Sequence, residues 1–576
     1  MTSRAALHLA HGRGAEGHRL CHTQRQLDHH HLTTLLTSIR SYPQWRRRQQ
    51  QQQQQASKQI SYGVRGFHNY FVTHLPSSSL HPDSRSTPGP HHKLPRDASA
   101  PHTPDSSGVA PASPPNMPSR DLTVVRIPLR SAKHHFGVFS GRGSRPYNED
   151  VNQAGTINIP AFAKRAPMSL VRSERKNSAG EATTADSPFG DPQVFYFGVF
   201  DGHGGSECAE FLRDELHGYI EEAARKFELK SSLRKRNKLL KGGTDKDKAP
   251  ILVKADVHKA VKLMNDLIDE YKNTIGGYFR RFKPPLFDLN AESNASAKSK
   301  VSIESVLTYA FLRADLDFVT AQARKPDPDD PYVSDNLPLN SNEILGSSPH
   351  SVPSGQNIIG GPARFKGGST ASIALISTPT PAPFWHPNAH STIVVAHVGD
   401  TRILLCETAT GLPVPLTSDH HPSSPSEARR LTRFAESSLV TDSFGEERIS
   451  GLANSRAFGD MGSKRIGVSA EPELTRMQLG PAQFSFMVLV SDGISGTLSD
   501  QEIVDLIKEA RTPEEGAKKV VGYATEVSID GDNATCLVIR LGGWERRSEG
   551  GLGSLGTKEM RDARKAEAND PRRGRR

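Results

Sequence analysis

The chain is poor in cysteine and in long apolar runs. Its 576 residues include four cysteines, and no two of them form a Cys-x-x-Cys pair. This spacing excludes a disulfide scaffold and a thiolate zinc site. The longest apolar runs, such as residues 195–200 and 486–490, have the length of strands, and none approaches the roughly 20 residues of a membrane-spanning helix. We therefore expect no membrane span.

Hydrophobic residues are also scarce. They make up 35% of the chain, whereas an average globular chain is roughly 45–50% apolar with glycine counted. Length alone would suggest about four domains, but this shortage predicts that a sizeable part does not pack. Residues 1–130 fit that description, with a glutamine tract at 49–55 and a Ser/Pro/His-rich stretch at 77–118. Such segments bury too little apolar surface to offset the entropy of ordering, so we expect a disordered extension.

The N-terminal segment is strongly basic. Its first hundred residues hold 13 Lys and Arg against four acids, which gives +9 of a total charge of +10. An Arg-rich, Ser-containing and acid-poor start is typical of an organelle transit peptide, although Glu16 and several Pro, Gly and His residues interrupt any long amphipathic helix. Two interpretations stay open: a mitochondrial targeting segment, or a disordered extension of a cytoplasmic or nuclear protein.

From residue 131 onward, short apolar runs alternate with helical patterns. Runs rich in Val, Ile and Phe predict strands at 194–200, 392–397, 402–406, 484–490 and 535–541. Apolar residues at helical spacing predict helices at 207–220, 302–318 and 500–510, the last with Ser499 and Glu502 as a capping box. Strands in series, interrupted by long helices, indicate an α+β layered fold and not a doubly wound parallel sheet.

Three polar stretches, near 156–193, 226–300 and 326–365, are predicted as insertions, although 255–279 has helical periodicity. Without them, the segment 131–545 has the length of one domain. Residues 546–576 are expected to form a charged basic tail. The last 36 residues carry ten basic and six acidic side chains, so the net charge lies in the two ends. This distribution disfavours a nucleic-acid-binding function, and the Lys/Arg run at 232–238 fits a solvated loop better than a nuclear signal.

Four aspartates lie in Asp-Gly or Gly-Asp turns beside apolar strands. Asp201, Asp492 and Asp400 follow strands, and Asp532 comes just before one. In an antiparallel sheet, the end of one strand and the start of its neighbour share an edge, so Asp201, Asp492 and Asp532 could converge at one rim. Carboxylates that close repel each other unless a cation is bound, and all-oxygen ligands favour Mg²⁺ or Mn²⁺ over Zn²⁺. The alternative is that each Asp-Gly pair is an ordinary turn.

The motifs follow one another in a specific order. They are Gly143-Ser-Arg145-Pro-Tyr-Asn-Glu149-Asp150, Asp201-Gly-His-Gly-Gly205, Gly367-Gly-Ser-Thr370, Val398-Gly-Asp400-Thr-Arg402, Asp419-His-His-Pro422, Ser455-Arg-Ala-Phe-Gly-Asp460, Glu471-Pro-Glu473, Asp492-Gly493 and Asp532-Asn533. In motif order, spacing and identity, this series resembles the metal-dependent protein phosphatases of type 2C. The resemblance covers about residues 140–541, apart from the three insertions.

This resemblance implies a central antiparallel β-sandwich flanked by α-helices on both faces, with a dinuclear Mn²⁺ or Mg²⁺ site at one end. The implied direct ligands are Asp201, which bridges both metals, the carbonyl of Gly202, Asp492 and Asp532. The residues implied to act through metal-bound water, or at a weaker third metal, are Glu149, Asp150 and Asp400. The implied reaction is hydrolysis of phosphoserine and phosphothreonine by a metal-activated water. Phosphoproteins are then the expected substrates, and no nucleic acid partner and a monomeric state are expected.

Two further residues carry implied catalytic roles. Arg145 is implied to bind phosphate, because a guanidinium can hold two phosphate oxygens at once, and the alternative is a surface salt bridge. His203 is implied to be the general acid that protonates the leaving oxygen, or else a residue that orients metal-bound water. Arg456 and Asp460 are expected to brace the site, and Thr370 to pack behind it.

One departure from the family pattern concerns the third metal. The family usually has Asp-Gly-Leu/Ile-Trp-Asp after its late strand, whereas this chain has Asp492-Gly-Ile-Ser-Gly496. The missing carboxylate at Gly496 argues against a third metal. It also leaves an alternative function, a catalytically weak or inactive regulatory member of the family. His397, His420 and His421 are expected at a strand and a turn and not at a metal.

Overall fold

The computed structural model describes residues 70–76, 122–128, 135–164, 183–184, 191–233, 252–287, 301–323, 325, 359–380, 382–431, 439–441, 445, 447–528, 531–547 and 554–570. The glutamine tract, most of the expected extension and most of the insertions near 156–193 and 326–365 lie outside these residues. Among the described helices, none combines the length and the apolar character needed to cross a lipid bilayer.

Eighteen strands and eight α-helices are described. The strands are β1 Tyr70–Pro76, β2 Leu122–Pro128, β3 Phe136–Gly141, β4 Val151–Ile157, β5 Thr183–Thr184, β6 Val194–Phe200, β7 Gly202–His203, β8 Gly368–Ser369, β9 Ala371–Ser377, β10 Ser391–Val398, β11 Arg402–Glu407, β12 Pro413–Pro415, β13 Leu439–Thr441, β14 Glu447–Ile449, β15 Phe458–Gly459, β16 Glu473–Leu479, β17 Phe484–Val490 and β18 Ala534–Arg540. The helices are α1 Glu207–Lys226, α2 Leu252–Thr274, α3 Ile303–Ala323, α4 Pro425–Leu431, α5 Asp492–Ser495, α6 Asp500–Lys508, α7 Pro513–Val527 and α8 Ser554–Ala568.

Two five-stranded antiparallel sheets form the centre of the fold. The first has the order β16-β10-β9-β6-β4, and the second has the order β12-β11-β17-β18-β3. One apolar cluster fills the space between the two sheets, a second joins the first sheet to α1, α2 and α3, and a third joins the second sheet to α6 and α7. The α+β sandwich with helices on both faces is therefore confirmed.

The strand sequences explain why both faces of each sheet are covered. In β6, Phe195 and Phe197 enter the cluster between the sheets, while Val194 and Tyr196 enter the cluster beneath the helices. All seven residues of β6 are buried. A strand that is buried on both faces needs apolar residues at every position, without the usual alternation of polar and apolar residues. The central strands therefore appear in the sequence as uninterrupted apolar runs.

The predicted helices are present, and their ends follow from capping chemistry. α6 begins after Ser499, whose hydroxyl accepts from the amide of Glu502 at 3.3 Å, while the Glu502 carboxylate accepts from the amide of Ser499 at 2.9 Å. This reciprocal arrangement is the capping box that the sequence predicts. α1 continues six residues beyond its predicted end at Ile220, because Ala223 and Ala224 extend the apolar face.

Part of the expected insertion near 226–300 belongs to the core. α2 and the following 3₁₀ turns, Gly277–Arg281 and Pro285–Phe287, bury Met264, Tyr271 and Phe279 in the same cluster as α1 and α3. The stretch forms an amphipathic helix, and its Lys-rich outer face gives it the composition of a polar loop. Residues 258–287 thus pack in the core, and the limits of the expected insertion stay a prediction.

Two paired strands lie within residues 1–130, for which disorder is expected. β1 and β2 pair in antiparallel register, from Tyr70 opposite Pro128 to Pro76 opposite Leu122. Their Tyr, Phe, Val and Ile residues favour strands. These two segments are described as paired strands, and the limits of the expected extension stay a prediction.

The expected C-terminal tail contains a helix that packs on the second helical layer. In α8, Arg561 forms an ion pair with Glu509 at 2.8 Å, and Arg564 binds both the carboxylate of Glu502 at 3.0 Å and the carbonyl of Thr497 at 2.8 Å. Met560, by contrast, is 55% exposed. Charged contacts therefore contribute much of the attachment of α8.

A buried ion cluster organises the segment between β12 and β16. Glu427 in α4 is fully buried and accepts hydrogen bonds from Arg430, Arg456 and Ser455, each at 2.6 Å. Burial raises the pKa of Glu427, but the charges of Arg430 and Arg456 outweigh it and hold this pKa well below its ordinary value. Glu427 is therefore ionised in the folded protein at neutral pH.

Candidate metal centre

The strand registers bring five aspartates to one end of the sandwich. Val490 at the end of β17 pairs with Cys536 near the start of β18, so Asp492 and Asp532 share an edge. Phe200 at the end of β6 pairs with Val151 at the start of β4, so Asp201 and Asp150 share the corresponding edge of the other sheet. Asp400 lies on the connection from β10 to β11, which passes from one sheet to the other. We call Asp150, Asp201, Asp400, Asp492 and Asp532 the acidic rim.

Hydrogen bonds connect the two sheets across this rim. The amide of Asp492 donates to Oδ2 of Asp201 at 3.4 Å. The hydroxyl of Ser491 donates to Oδ2 of Asp150 at 2.7 Å. The predicted convergence of Asp201, Asp492 and Asp532 at one rim therefore occurs, and Asp150 and Asp400 join them.

The acidic rim is electrostatically unfavourable by itself. Burial, followed by the charges of Asp492, Asp150 and Asp400, raises the pKa of Asp201 well above its ordinary value. The pKa of Asp492 is raised to about 7 and that of Asp150 to about 6, and burial is the main cause in both. Clustered carboxylates that resist ionisation are stabilised when a cation neutralises them.

Two oxygen atoms of the rim need a partner. Oδ1 of Asp150 and Oδ1 of Asp400 are buried and have no hydrogen-bond partner among the described residues. An unsatisfied buried carboxylate oxygen costs more than the roughly 1–3 kcal/mol of a neutral group. All five side chains offer hard oxygen atoms, which suit Mg²⁺ or Mn²⁺. The donor set therefore fits the divalent cations that the motifs imply.

The glycines after Asp201 and Asp492 are required by close packing. A Cβ on Gly202 would lie 2.8 Å from the carbonyl oxygen of Glu149, and one on Gly493 would lie 1.9 Å from that of Asn533. The Asp-Gly pairs are therefore more than ordinary turns, because only glycine lets neighbouring loops approach the rim.

The Asp201-Gly-His-Gly-Gly loop is fixed from two sides. The carboxylate of Glu149 accepts a hydrogen bond from the amide of Gly205. The amide of Thr370 donates to the carbonyl of Asp201 at 2.8 Å. Thr370 thus contacts the backbone of Asp201, and Glu149 contacts the backbone of Gly205.

Arg145 lies at the open side of the rim. Its guanidinium donates to Oδ2 of Asp532 at 2.8 Å, and its side chain is 53% exposed. The neighbouring Asn533 supports this loop, because its side chain accepts from the amide of Glu149 at 2.8 Å and donates to the carbonyl of Tyr147 at 3.1 Å. The salt bridge that sequence reasoning left as an alternative is therefore present, and its partner is a member of the rim.

His203 is held by Asp460. Nε2 of His203 lies 2.9 Å from both carboxylate oxygens of Asp460, which is buried. Burial lowers the pKa of His203, but the hydrogen bond and charge of Asp460 outweigh it and raise this pKa above its ordinary value. With Nε2–H donated to Asp460, Nδ1 is the ring nitrogen that can exchange a proton with a substrate.

Asp400 has a neighbour that sequence reasoning did not assign to the site. Nε2 of His421 lies 3.5 Å from Oδ2 of Asp400. Burial raises the pKa of Asp400, but hydrogen bonds from His421 and Asn454 outweigh it and lower this pKa. Gly496 is in the right-handed helical region, so its backbone conformation does not dictate glycine. A Cβ at Gly496 would lie 3.0 Å from the carbonyl oxygen of Asp492, which is a tight contact.

Two groups of residues belong to other networks. The guanidinium of Arg456 binds Glu427 and the carbonyl of Glu471, so it braces the 425–471 segment and not the rim itself. His397, His420 and Glu473 bring possible metal-ligand atoms within 4.8 Å of one another. However, Nδ1 of His397 is bonded to Ser372 and its Nε2 to the carbonyl of Ser418, which favours a hydrogen-bond network.

Sequence reasoning missed Ser491, Asn533 and His421. Ser491 lies between the end of β17 and Asp492, and Asn533 lies between Asp532 and the start of β18. This adjacency to the two aspartates is the signal that could have identified them. His421 sits in the Asp419-His-His-Pro422 motif, where its place in the turn was recognised but its aspartate partner was not.

A rim of carboxylates with an exposed guanidinium beside it has the chemistry that divalent cations and an anionic group would fit. The Protein phosphatase 2C family model matches residues 354–530. The chain is 32% identical over 425 residues to Protein phosphatase 2C homolog 4 of Schizosaccharomyces pombe, an alignment that covers 74% of this chain and 84% of that protein. The chain belongs to the protein phosphatase 2C family and is a metal-dependent protein phosphatase.

Other similarities are more limited. Protein phosphatase 1K, mitochondrial, of Xenopus laevis is 36% identical over 179 residues, which cover 31% of this chain and 44% of that protein. A serine-threonine phosphatase 2C from Toxoplasma gondii, known from its crystal structure, aligns with 18% identity and a TM-score of 0.38 over 70% of this chain and 94% of that one.

Proposed function

We propose that the chain hydrolyses phosphoserine and phosphothreonine in proteins with two Mn²⁺ or Mg²⁺ ions at the acidic rim. Asp201, the carbonyl of Gly202, Asp492 and Asp532 are the groups that would hold the ions, with Glu149 and Asp150 acting through water. When bound, the two ions lower the pKa of a water molecule and offset negative charge on the phosphoryl oxygens. A third ion is not part of the proposal, because Gly496 offers no carboxylate.

The observation that carries this proposal is the rim itself. It joins carboxylates of both sheets, and two of its buried oxygen atoms have no hydrogen-bond partner among the described residues. A catalytically inactive regulatory protein would have no need of this arrangement. Only the glycine at 496 favours that alternative.

The chain's own residues supply binding and proton transfer. Arg145 presents exposed N–H donors at the rim, where a phosphate group can accept them. His203, oriented through Nε2 by Asp460, carries a proton at Nδ1 that the serine or threonine oxygen takes as it leaves. The Glu149–Gly205 contact keeps the backbone of the 201–205 loop in place while these groups act.

The test of the proposed function is release of phosphate from a phosphothreonine peptide in the presence of Mn²⁺. We expect turnover that EDTA abolishes and that added Mn²⁺ restores. The full-length protein is used, and protein carrying Asp201→Asn is the control for contaminating phosphatases. Turnover no greater than that of the control would contradict the proposal.

Arg145→Ala is expected to raise KM for the phosphopeptide more than it changes metal affinity. Loss of a charge-assisted bidentate contact costs about 1.5–3 kcal/mol, which is roughly 10- to 100-fold in KM. Arg145→Lys is the matched variant, and it should recover only part of the loss, since Lys cannot form two parallel hydrogen bonds. Steady-state kinetics and a Mn²⁺ titration measure the two effects, and an unchanged KM would remove Arg145 from this role.

We also propose that the N-terminal segment directs the chain to mitochondria. The proposal rests on the acid-poor, Arg-containing composition of residues 1–100 and on the similarity to the mitochondrial Xenopus protein. A fusion of residues 1–100 to a fluorescent protein should colocalise with a mitochondrial dye. The matched control replaces Arg46, Arg47 and Arg48 by glutamine, which should weaken import. A diffuse cytosolic or a nuclear signal from the unaltered fusion would contradict the proposal.

A further inference from the structure

A fully buried ion pair lies against the backbone that precedes Asp460, the partner of His203. Asp315 in α3 and Lys464 in the 3₁₀ turn Met461–Ile466 both have no exposed surface, and Nζ of Lys464 lies 2.8 Å from Oδ1 of Asp315. The hydroxyl of Tyr271 in α2 donates to Oδ2 of Asp315 at 3.0 Å. Lys464 also donates to the carbonyl of Ala457 at 2.7 Å. The pair thus joins two helices to the segment that carries Asp460.

The same carboxylate holds the backbone next to Asp460. Oδ1 of Asp315 accepts a hydrogen bond from the amide of Gly459 at 3.0 Å. The amide of Asp460 donates to the carbonyl of Gly367 at 2.9 Å. Asp460 is therefore fixed through its own amide on one side and through the preceding residue on the other.

This backbone needs such support because it is strained. Gly459 and Asp460 both have positive φ, at 72° and 44°, and an aspartate there costs roughly 1–2 kcal/mol. The conformation aims both carboxylate oxygens of Asp460 at Nε2 of His203. A strained conformation persists only where the surrounding contacts impose it.

Stability alone is a weak reason to keep a buried ion pair here. Desolvation of two charges costs several kcal/mol, and apolar replacements of similar volume are often neutral or stabilising. The pair contacts no rim residue, yet it determines the position of the residue that orients His203. We therefore expect loss of the pair to impair proton transfer at the site more than it lowers the free energy of unfolding.

We propose that Asp315, supported by Lys464 and Tyr271, is a positioning residue for proton transfer: it holds the Gly459–Asp460 backbone so that Asp460 orients His203 toward the leaving oxygen. This rests on the proposed function. The oxygen of a water molecule bonds to phosphorus as the P–O bond to serine or threonine breaks, and the leaving oxygen takes a proton from Nδ1 of His203. The products are inorganic phosphate and the free hydroxyl, and a proton from the water restores His203 through solvent.

The leaving group makes this role measurable. The alkoxide of serine or threonine needs a proton as it leaves, whereas a nitrophenolate is a stable anion and needs none. A loss of His203 alignment should therefore slow hydrolysis of a phosphothreonine peptide and spare p-nitrophenyl phosphate. A merely structural defect would slow both.

The experiment compares two double variants of the full chain with both substrates in Mn²⁺. Asp315→Leu with Lys464→Met removes the acceptor of the Gly459 amide, and since a general acid contributes 10²–10⁴-fold, we expect about a 30- to 100-fold lower kcat for the phosphopeptide. Hydrolysis of p-nitrophenyl phosphate should stay within about threefold. Asp315→Asn with Lys464→Met restores a neutral acceptor and should recover the phosphopeptide rate to within about threefold of the wild type.

A second buried pair provides the matched control. Asp505 and Lys508 in α6 are equally buried, with Nζ and Oδ1 2.6 Å apart, and they lie in the opposite helical layer. Asp505→Leu with Lys508→Met should leave the ratio of the two substrate rates unchanged. A change in this ratio would show that any buried pair produces the effect, which overturns the proposal.

The remaining outcomes separate the two proposals. A wild-type protein that hydrolyses neither substrate contradicts the proposed function itself. A wild type active on both, with the Asp315→Leu variant slowed equally on both or the Asp315→Asn variant not rescued, overturns only the positioning role. If the leucine variant does not fold, Tyr271→Phe removes one contact of Asp315, and it should lower the phosphopeptide rate selectively. An equal effect on both substrates would again overturn the role.

Discussion

Asp201→Asn is expected to abolish turnover of a phosphothreonine peptide. The side chain lies where the two sheets meet, and it is the group that would be shared by both ions. Removal of a single preorganised electrostatic group costs about 10²- to 10³-fold in rate, and loss of a shared ligand should cost at least that. Phosphate release at saturating Mn²⁺, with kcat followed separately from KM, measures the effect.

In the metal-free protein, the same substitution should preserve or raise the unfolding temperature. Asp201 lies among Asp150, Asp400 and Asp492, so an asparagine removes one negative charge from the rim and still accepts the hydrogen bond from the Asp492 amide. In EDTA, we expect the variant to unfold at the same or a higher temperature than the wild type. Added Mn²⁺ should raise the unfolding temperature of the wild type and not that of the variant.

Asp191→Asn is the matched control, because Asp191 is a buried carboxylate that precedes β6 at the end remote from the rim. It should leave both turnover and the Mn²⁺-dependent shift unchanged. Retention of either property by Asp201→Asn would show that Asp201 is not a ligand.

Of the single substitutions described, Glu427→Gln is expected to lower the free energy of unfolding the most. Glu427 is the counterion of Arg430 and Arg456, whose side chains are 14% and 15% exposed. Removing one partner of a buried ion pair typically costs about 3–5 kcal/mol, since the other charge stays buried without compensation. The free energy of unfolding from urea titrations at pH 7 measures the loss. Glu228→Gln, which breaks an exposed pair with Lys259, should cost no more than about 1 kcal/mol.

The contribution of Glu427 has a definite pH dependence. Its pKa is lower in the folded protein than its ordinary value of 4.5 in the unfolded chain. The stabilisation is therefore fully present above about pH 5 and is lost as the pH falls toward the folded pKa. The difference in unfolding free energy between wild type and variant should shrink between about pH 5 and pH 3. A difference that is independent of pH would contradict the role of the ionised carboxylate.

The layered fold could be predicted because its strands are short, apolar and bounded by turns. β6, β17 and β18 have nearly the predicted limits, since runs buried on both faces end where Asp, Gly or Ser begins. α2 could not be assigned in the same way. Its apolar positions are correct, but its Lys-rich outer face and the polar stretches beside it have the composition of a solvated loop.

The acidic rim could be predicted in part for a similar reason. Chain order and antiparallel pairing determine which strand ends share an edge, so Asp201, Asp492 and Asp532 could be placed from sequence. The Asp315–Lys464 pair could not, because an aspartate within a helical apolar pattern and a lysine in a turn are both compatible with exposure. Their contact depends on how α3 packs against the 3₁₀ turn, which composition does not determine.

The position of the rim has one more consequence, which concerns how the two sheets are held together. The three cysteines among the described residues are buried and unpaired, so no disulfide within the described part of the chain joins the two sheets. Asp201 belongs to one sheet, and Asp492 and Asp532 belong to the other. An ion held by both would act as a reversible cross-link between the two halves of the sandwich. Metal supply would then set the mechanical integrity of the domain as well as its chemistry.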